Sequence, residues 1–334
     1  MYLEFVFIFI LSLVLVGLVK RYAPKIGLMD VPDSRSSHCS IIPRGAGIGF
    51  YLAVAIVLPI FHLDSVFMNS WTCLAVFLVF IIGVLDDHHD TSPHTKFVVI
   101  ILSTILLSFD GVIIDDVGTF FGMDISLGWL ALPFTIFAVV GFTNALNLID
   151  GLDGLAATVS IVILGSFFAV GYLNDDFFMM VASISFISAL LAFLVFNWHP
   201  ASIFMGDSGS LTLGFVISVL AVKSLAYLPA MNILFITAIP VLDTLVVMIR
   251  RKLNGHSAFC ADRCHFHHIL RHFFGEDTKK TVLFLGVLQA IFSLTGLQLD
   301  NNMDEGYLLI LFAFNIVLLY MFLGAMIKRQ KREC

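Results

Sequence analysis

Four groups of polar residues interrupt an otherwise apolar chain, and their residue types suit chemistry on phosphates. They are Asp86-Asp87, Asp150 with Asp153, Asp207, and the run 262–268 with the sequence DRCHFHH. Each group stands at the end of an apolar segment. Carboxylates and imidazoles are costly near hydrocarbon, so in a membrane protein they mark functional sites by default. If all four groups face the same side of a bilayer, they can form one site.

The first carboxylate pair and a nearby lysine suit metal and phosphate binding. Asp86 and Asp87 can bind Mg²⁺ or act as a general base, and Lys96 can hold a phosphate as a point charge. An acidic pair that merely ends a helix would have the same sequence. Asp207 opens another apolar segment, where capping of a helix is an equally good explanation.

The run NALNLIDGLDG at 144–154 brings further polar groups together. Asn147, Asp150 and Asp153 are spaced by three, so a helical turn would place them on one face. Packing alone explains such a trio poorly at a membrane boundary. Asp243 lies inside a later apolar segment, where it either belongs to a site or pairs with a neighbour.

The run 262–268 is the densest polar group and allows two interpretations. Cys260 and Cys264 raise the hypothesis of bound zinc, although their spacing from the histidines is not that of a standard structural site. Arginine and imidazoles also suit a pyrophosphate clamp, because arginine offers bidentate contacts. The clamp is the favoured interpretation, and its residues are Arg263, His265, His267 and His268.

The elements that must position these residues are apolar helices. The chain has 334 residues, of which 59% are hydrophobic and 34 are Phe, with a mean hydropathy of +1.00. This composition excludes a soluble domain and predicts a polytopic membrane protein. A spanning helix needs about 20 mostly apolar residues. The predicted spans are 2–19, 46–62, 71–85, 97–109, 129–147, 154–173, 177–196, 208–226, 230–249, 281–298 and 306–327.

The distribution of basic residues orients these spans. With the N-terminus outside, 17 of the 18 Lys and Arg residues fall in inside loops or the tail, and Lys223 is the exception. The positive-inside rule therefore selects this orientation. We predict an all-α polytopic integral membrane protein with about eleven transmembrane helices, a periplasmic N-terminus and a cytoplasmic C-terminus. All four polar groups then lie on the cytoplasmic side.

We expect a single membrane domain over residues 1–334, with the active site formed by its cytoplasmic loops. The periplasmic loop 110–128 has the alternation of a small β-hairpin. Residues 266–274 are predicted to form a short amphipathic helix on the membrane surface. The cytoplasmic loops are 20–45, 86–96, 148–153, 197–207 and 250–280.

Carboxylates, a lysine and an Arg/His clamp together suit metal-assisted phosphoryl transfer at the membrane surface. The substrates would be one soluble, phosphate-bearing molecule and one lipid. A CDP-alcohol phosphotransferase would carry the pattern D-G-x-x-A-R…G-x-x-x-D-x-x-x-D, which is absent. A cation-coupled transporter would need ionisable groups near mid-membrane, and Asp243 is the clear case of one.

Five motifs in order resemble the polyprenyl-phosphate N-acetylhexosamine-1-phosphate transferases of glycosyltransferase family 4. They are DVPDSRSSH (30–38) with PRG (43–45), LDDHHDTSPHTKF (85–97), NALNLIDGLDGLAA (144–157), FMGDSGSLTLG (204–214) and DRCHFHH (262–268). The resemblance implies transfer of a sugar-1-phosphate from a UDP-sugar to undecaprenyl phosphate, with release of UMP, in the bacterial inner membrane. It further implies Mg²⁺ as the cofactor, with Mn²⁺ as the alternative. It implies no nucleic-acid partner and is compatible with a homodimer.

Carried over by motif, the resemblance implies a role for each polar group. Asp86 and Asp87 would activate the lipid phosphate. The full catalytic set would be Asp86, Asp87, Asp150 and Asp153. The metal ligands would be Asn147 and Asp207. Substrate binding would fall to Lys96, Asn144, Asp153, Arg263, His265, His267 and His268.

Two segments point to different sugars. The loop 262–268 resembles the D-R-x-H-x-H-H pattern of the undecaprenyl-phosphate N-acetylglucosamine-1-phosphate transferases, whose product begins surface polysaccharides such as O-antigen. The segments 35–38 (RSSH) and 43–47 (PRGAG) look more like relatives that use other N-acetylated, often deoxy, sugars. We expect UDP-N-acetylglucosamine as the donor, with another UDP-N-acetyl(deoxy)hexosamine as the alternative.

Overall fold

A computed structural model describes residues 2–32, 41–253, 255, 265–299 and 303–329, with the backbone alone at residues 2 and 327–329. Within these ranges the chain folds into fourteen α-helices and two short two-stranded sheets. The helices are α1 (Tyr2–Ile26), α2 (Ala46–Phe61), α3 (Leu63–Met68), α4 (Ser70–His89), α5 (Pro93–Leu107), α6 (Ala131–Ile149), α7 (Leu155–Leu173), α8 (Phe177–Asn197), α9 (Asp207–Ser224), α10 (Ala230–Ile236), α11 (Ala238–Leu253), α12 (Phe266–Phe273), α13 (Thr278–Gln298) and α14 (Glu305–Arg329).

The predicted multi-pass helical membrane protein is confirmed, and each of the eleven predicted segments falls on helix. In the described part of the chain, eight helices are long and apolar enough to cross a membrane, or nine if the bent pair α10–α11 is one span. Helix α2 is apolar but shorter, and α9 is not among the eight. The count of eleven spans and their orientation therefore stay predictions.

Helix α9 is the centre of the bundle, which explains its lower hydropathy. It packs against α2, α4, α6 and α7, and nearly all of its residues after Asp207 are buried. A helix surrounded by protein does not need the lipid-facing apolar surface that α1 and α14 present, so it can carry Ser208, Ser210 and Thr212. These small residues allow the neighbouring backbones to approach closely.

Glycines fix how closely α2 and α4 approach the start of α9. A Cβ on Gly47 would collide with the backbone of Ser208 and Gly209. A Cβ on Gly83 would lie 2.5 Å from the Asp207 carbonyl oxygen. Both contacts require glycine, and together they bring the end of α4 beside the first turn of α9.

Backbone hydrogen bonds also tie the N-terminal loop to the segment before α9. Strand β1 (Met29–Asp30) pairs antiparallel with β2 (Ile42–Pro43). The Phe204 N–H donates to the Pro43 carbonyl at 2.8 Å, and the Ala46 N–H donates to the Phe204 carbonyl at 3.1 Å. The residues just before Asp207 are therefore fixed from two sides.

The predicted single span 230–249 is instead broken into α10 and α11, which meet at 89°. A break exposes backbone groups that hydrocarbon cannot satisfy. Buried Gln289 on α13 satisfies them, because its Oε1 accepts from the Ile239 N–H at 3.0 Å and its Nε2 donates to the Ile236 carbonyl at 2.7 Å. Hydropathy alone could not reveal this bend.

The predicted hairpin lies in the loop 110–128, with β3 (Asp116–Phe120) antiparallel to β4 (Met123–Ser126). Its turn places Phe121 at φ +53°, a conformation that non-glycine residues rarely adopt. Asp304 holds that turn, since its carboxylate accepts the N–H groups of Phe121 and Gly122, each at 2.8 Å. The helix predicted at 266–274 is confirmed as α12, and its place on the membrane surface stays a prediction.

Candidate active site

Asp207, the first residue of α9, is the centre of the site. Its Oδ2 accepts from the Lys96 ammonium group at 2.8 Å, and its Oδ1 accepts from the Asn147 Nδ2 at 2.9 Å. Three predicted site residues from three helices thus meet at one carboxylate. The capping explanation for Asp207 does not apply, because α9 makes no side-chain cap through it.

Lys96 joins Asp207 to Asp86. Its Nζ lies 3.1 Å from the Asp86 Oδ2, and the other Asp86 oxygen accepts from the Thr91 hydroxyl at 2.7 Å. The turn between α4 and α5 makes this contact possible: Ser92 caps α5 by accepting the Thr95 N–H, and proline occupies the first helical position. Lys96 then faces back towards the end of α4.

Asp87 has a different role from its neighbour. Its Oδ1 accepts from the Asp207 N–H at 2.8 Å and its Oδ2 from the Ser208 N–H at 3.1 Å. A carboxylate at a helix N-terminus satisfies unpaired N–H groups and complements the helix dipole. Asp87 is 2% exposed, so it holds the start of α9, whereas Asp86 is the member of the pair that faces Lys96.

Asn147 connects α6 to α9. Besides Asp207, its Nδ2 donates to the Ser210 hydroxyl at 2.8 Å, a partner that sequence analysis had no reason to select. Its Oδ1 makes no hydrogen bond within the described residues. Asn144, one turn earlier on α6, is partly buried, and its side chain likewise has no hydrogen bond to the described part of the chain.

The expectation that Asn147, Asp150 and Asp153 share a helical face is wrong. Helix α6 ends at Ile149, and Gly154 adopts φ +77° before α7 begins. The two aspartates therefore lie in a turn. Asp153 accepts from the His199 Nδ1 at 2.6 Å and from the Ala201 N–H at 3.0 Å, so it anchors this turn to the loop that follows α8.

Asp150 carries a carboxylate that lies near the charges of Asp207 and Asp87. Burial raises the pKa of the Asp150 carboxyl well above its ordinary value, and the nearby charges of Asp207 and Asp87 raise it further. Asn197, behind the turn, accepts the Gly154 N–H at 2.8 Å and so fixes the turn that carries Asp150.

The histidines meet Asp243 on α11. The Asp243 Oδ1 accepts the Phe266 N–H at 2.6 Å, and its Oδ2 lies 3.1 Å from the His265 Nδ1 and 3.4 Å from the His267 Nδ1. Asp243 thus pairs with neighbours, as one of the two hypotheses for it expected. The position of a lone carboxylate in an apolar segment was the signal that singled out Asp243 in the sequence.

The histidines also reach the turn that carries Asp150. A Cβ on Gly151 would lie 2.6 Å from the His267 Nε2 and 3.4 Å from the His268 Nε2. Burial first, then the neighbouring His267 and His265, lowers the pKa of His268 to about 3, so this imidazole is neutral at physiological pH. Arg263, Cys260 and Cys264 lie outside the described residues.

The arrangement favours a divalent cation on the grounds of charge and donor type. Asp86 and Asp207 accept from the Lys96 ammonium group, Asp87 holds the start of α9, and Asp150 lies near enough for the charges of Asp207 and Asp87 to act on it. Carboxylate and amide oxygens are the ligands that Mg²⁺ prefers. The charges of Asp207 and Asp87 add to the effect of burial in raising the pKa of Asp150, so negative charge accumulates here. The residues present therefore fit a magnesium ion.

Comparisons with known proteins identify the family of this chain. Residues 70–225 match the family model described as "Glycosyl transferase family 4". A relative from Bacillus subtilis strain 168, a probable undecaprenyl-phosphate N-acetylglucosaminyl 1-phosphate transferase, is 35% identical over 295 residues, or 86% of this chain and 82% of its own.

Two further relatives are undecaprenyl-phosphate alpha-N-acetylglucosaminyl 1-phosphate transferases. The protein from Yersinia pestis is 29% identical, with 98% of this chain and 92% of its own covered. The protein from Escherichia coli K12 is 27% identical, with 98% and 90% covered. The resemblance first based on five motifs thus extends along the chain, which belongs to glycosyl transferase family 4, among its membrane-bound phosphoglycosyltransferases.

Proposed function

We propose that this protein transfers N-acetylglucosamine-1-phosphate from UDP-N-acetylglucosamine to undecaprenyl phosphate and releases UMP. The family, and the activity for which its relatives are named, support the general reaction. The observation that carries the proposal is the bridge formed by Lys96 between Asp86 and Asp207. This bridge places one cation among carboxylates, as expected for a site that receives phosphates.

The reaction exchanges one phosphoanhydride bond for another. An oxygen of the lipid phosphate forms a bond to the sugar-linked phosphorus of the donor, and the bond from that phosphorus to the UMP oxygen breaks. Charge shifts from the incoming phosphate to the departing UMP, so the protein mainly has to position groups and neutralise charge. Lys96 is suited to hold the lipid phosphate, and Asp86 fixes the position of Lys96.

We expect Mg²⁺, with Mn²⁺ as the alternative, to be held by Asp207 and the amide oxygen of Asn147. When bound, the ion supplies neutralisation of the donor diphosphate. Asp87 keeps the first turn of α9 in place, and Ser210 holds the Asn147 amide group. The contacts made by Asp87 and Ser210 therefore orient the proposed metal ligands before any substrate binds.

The nucleotide sugar would bind between the Asp150 turn and the histidines. Support comes from the approach of His267 and His268 to Gly151, beside Asp150. Arg263 and Asn144 are proposed to contribute to this binding. We place the site at the cytoplasmic face of the bacterial inner membrane, because 17 of the 18 basic residues fall on that side of the predicted topology. The product would begin a surface polysaccharide such as O-antigen.

The test is UMP release by the purified protein with undecaprenyl phosphate, Mg²⁺ and a panel of UDP-sugars. A site built around one hydroxyl rejects an analogue that lacks it by about 10⁴-fold, because its polar partners stay unpaired. UDP-N-acetylglucosamine should therefore be used much faster than UDP-N-acetylgalactosamine and the two deoxy donors, UDP-N-acetylfucosamine and UDP-N-acetylquinovosamine. Preference for a deoxy donor would favour the alternative based on the RSSH segment. No UMP release with any donor would contradict the reaction itself.

A further inference from the structure

Asp243 is a buried carboxylate to which the proposed reaction assigns no role. It is 2% exposed on α11, and within the described residues its hydrogen bonds and ion pairs are with His265, Phe266 and His267. One oxygen holds the Phe266 N–H, and the other faces the Nδ1 atoms of both His265 and His267. A single carboxylate oxygen is thus shared by two imidazoles.

The Nε2 of His267 is the second observation. The residue is 1% exposed and its Nδ1 lies 3.4 Å from the Asp243 Oδ2, whereas its Nε2 makes no hydrogen bond within the described residues. A buried polar nitrogen without a partner is costly, and native proteins rarely leave one. The Nε2 faces Gly151, beside Asp150, so the unpaired nitrogen lies against the turn where the donor is proposed to bind.

The chemistry of the carboxylate decides which imidazole nitrogen carries the proton. A carboxylate oxygen only accepts, so both Nδ1 atoms must be protonated to donate to Asp243. The partner of one ring nitrogen sets what the other can do. A phosphate oxygen also only accepts, so an imidazole that donates to Asp243 and to a phosphate carries both protons.

We infer that Asp243 is a positioning residue that holds His265 and His267 with protonated Nδ1 atoms and directs their Nε2–H groups at the diphosphate of the nucleotide sugar. This inference rests on the proposed function. It gives Asp243, which lies outside the five motifs that resemble the family, a role in orienting the histidines at the donor site. His268 packs against His267 with ring centroids 4.3 Å apart and stays neutral, so it does not compete for the same negative charge.

Asp243→Asn tests this inference with a change of one atom. The amide oxygen can still accept the Phe266 N–H, whereas the NH₂ group now faces the two imidazoles. An NH₂ group only donates, so both Nδ1 atoms must lose their protons to accept from it. Each imidazole is then neutral and carries its proton on Nε2.

Two measurements distinguish this effect from a structural one. In protein with ¹⁵N-labelled histidine and bound UDP, His265 and His267 should show two protonated nitrogens each in the wild type and one in Asp243→Asn. The KM for UDP-N-acetylglucosamine should rise about 10-fold or more, because a hydrogen bond loses the assistance of a charge. The KM for undecaprenyl phosphate should stay within about twofold, because the inference assigns these imidazoles to the donor and the proposed function assigns the lipid phosphate to Lys96.

Glu305→Gln is the matched control, because Glu305 is also a buried carboxylate that accepts a backbone N–H. Its donor is the Met231 N–H at 2.9 Å, and it lies in a different part of the fold. Asp243→Glu keeps the charge and should bind UDP more tightly than Asp243→Asn, whatever either change costs in stability. Unchanged ¹⁵N signals, or equal rises of both KM values, would overturn the inference.

A bound metal would also overturn it. The Asp243, His265 and His267 ligand atoms lie within 4.8 Å of one another, so elemental analysis of the purified wild type is part of the test. Stoichiometric metal that is lost in Asp243→Asn would make the cluster a metal centre. If the wild type releases no UMP, the proposed function fails, whereas calorimetric UDP binding and the ¹⁵N signals still decide the role of Asp243.

Discussion

The ammonium group of Lys96 joins two of the four polar groups, because it donates to both Asp86 and Asp207. Replacing Lys96 with Met removes its charge but keeps most of its length. We expect kcat for UMP release to fall by about 100-fold or more, as for loss of one electrostatic contact to the transferred phosphate. Lys223→Met is the matched control, because Lys223 lies over the Phe178 ring, away from this cluster, and should leave turnover unchanged. Normal turnover in Lys96→Met would contradict the proposed role.

Asp207 offers the corresponding test of metal binding. Asp207→Asn keeps the shape of the side chain and removes the charge proposed to hold Mg²⁺. Turnover should fall by about 100-fold or more, and the Mg²⁺ concentration for half-maximal activity should rise. The measurement is UMP release over a Mg²⁺ titration, with a chelator added to the wild type as reference. Full activity of the variant, or turnover in the chelator, would refute the assignment.

The two members of the acidic pair should respond differently to the same substitution. In Asp87→Asn, one of the two N–H groups at the start of α9 would face an NH₂ group, and loss of such a buried bond costs about 1–3 kcal/mol. We therefore expect a lower Tm for Asp87→Asn. Asp86→Asn should lose activity with little change in Tm, because its carboxylate is half-buried and contacts side chains. Thermal unfolding and UMP release separate the two outcomes, and equal Tm losses would contradict the distinction.

At the scale of single residues, the sequence was sufficient to identify the members of the site but not to predict the contacts between them. Residue type and position were enough to select Asp86, Lys96, Asn147 and Asp207, which do meet. They were not enough to separate Asp87 from Asp86, because adjacent carboxylates look alike in a sequence. Which of them faces the backbone of α9 depends on how α4 packs, and the glycines that set this packing are not recognisable in advance.

At the scale of elements, the broken helix α10–α11 is held by two side chains of α13, because Ser293 also donates to the Ile236 carbonyl, at 3.2 Å. Gln289→Leu would leave the Ile239 N–H without its partner, at about 1–3 kcal/mol, and would leave the Ile236 carbonyl with the Ser293 bond alone. We expect a lower Tm and reduced activity, since α11 carries Asp243. Gln298→Leu, on an exposed position of the same helix, is the control and should keep the wild-type Tm. An unchanged Tm in Gln289→Leu would show that the bend does not need this residue.

Apolar length predicted where the helices lie, because about 20 apolar residues in succession have few other structures available. It did not predict the bend at Thr237, since the residues that satisfy the broken backbone come from a distant helix. Apolar length did place the end of α6 within two residues, since the predicted span was 129–147 and α6 ends at Ile149. The part that was wrong is the shared helical face. The pattern of Asn147, Asp150 and Asp153 fits a helix, whereas the glycines of the same run end it.

At the scale of the whole molecule, the four polar groups form a continuous series. Asp86 is joined to Asp207 through Lys96, Asp207 acts on Asp150 through its charge, and Gly151 beside Asp150 touches the histidines. The gathering of all four could be predicted, because the bias of basic residues placed every group on one side of the membrane. The order of contacts could not, since it depends on which helices surround α9.

The orientation of the molecule is the last prediction, and it belongs to this scale. The hairpin and the start of α13 should lie on opposite sides of the membrane. In a variant without native cysteines, Asp124→Cys should react with a membrane-impermeant maleimide in intact cells, whereas Lys279→Cys should react only after permeabilisation. Both positions are exposed in the structure, so failure to label reflects the membrane and not burial.

Labelling of both positions from the same side would contradict the predicted topology. It would also remove the argument that basic loops and carboxylates share the cytoplasmic face, where a soluble UDP-sugar is available. Contacts within the site would be unaffected, because they depend on the packing of α4, α5, α6 and α9. The prediction of the side from which the donor enters therefore depends on the distribution of charge along the chain. The proposed chemistry of the site depends on the packing around Asp207.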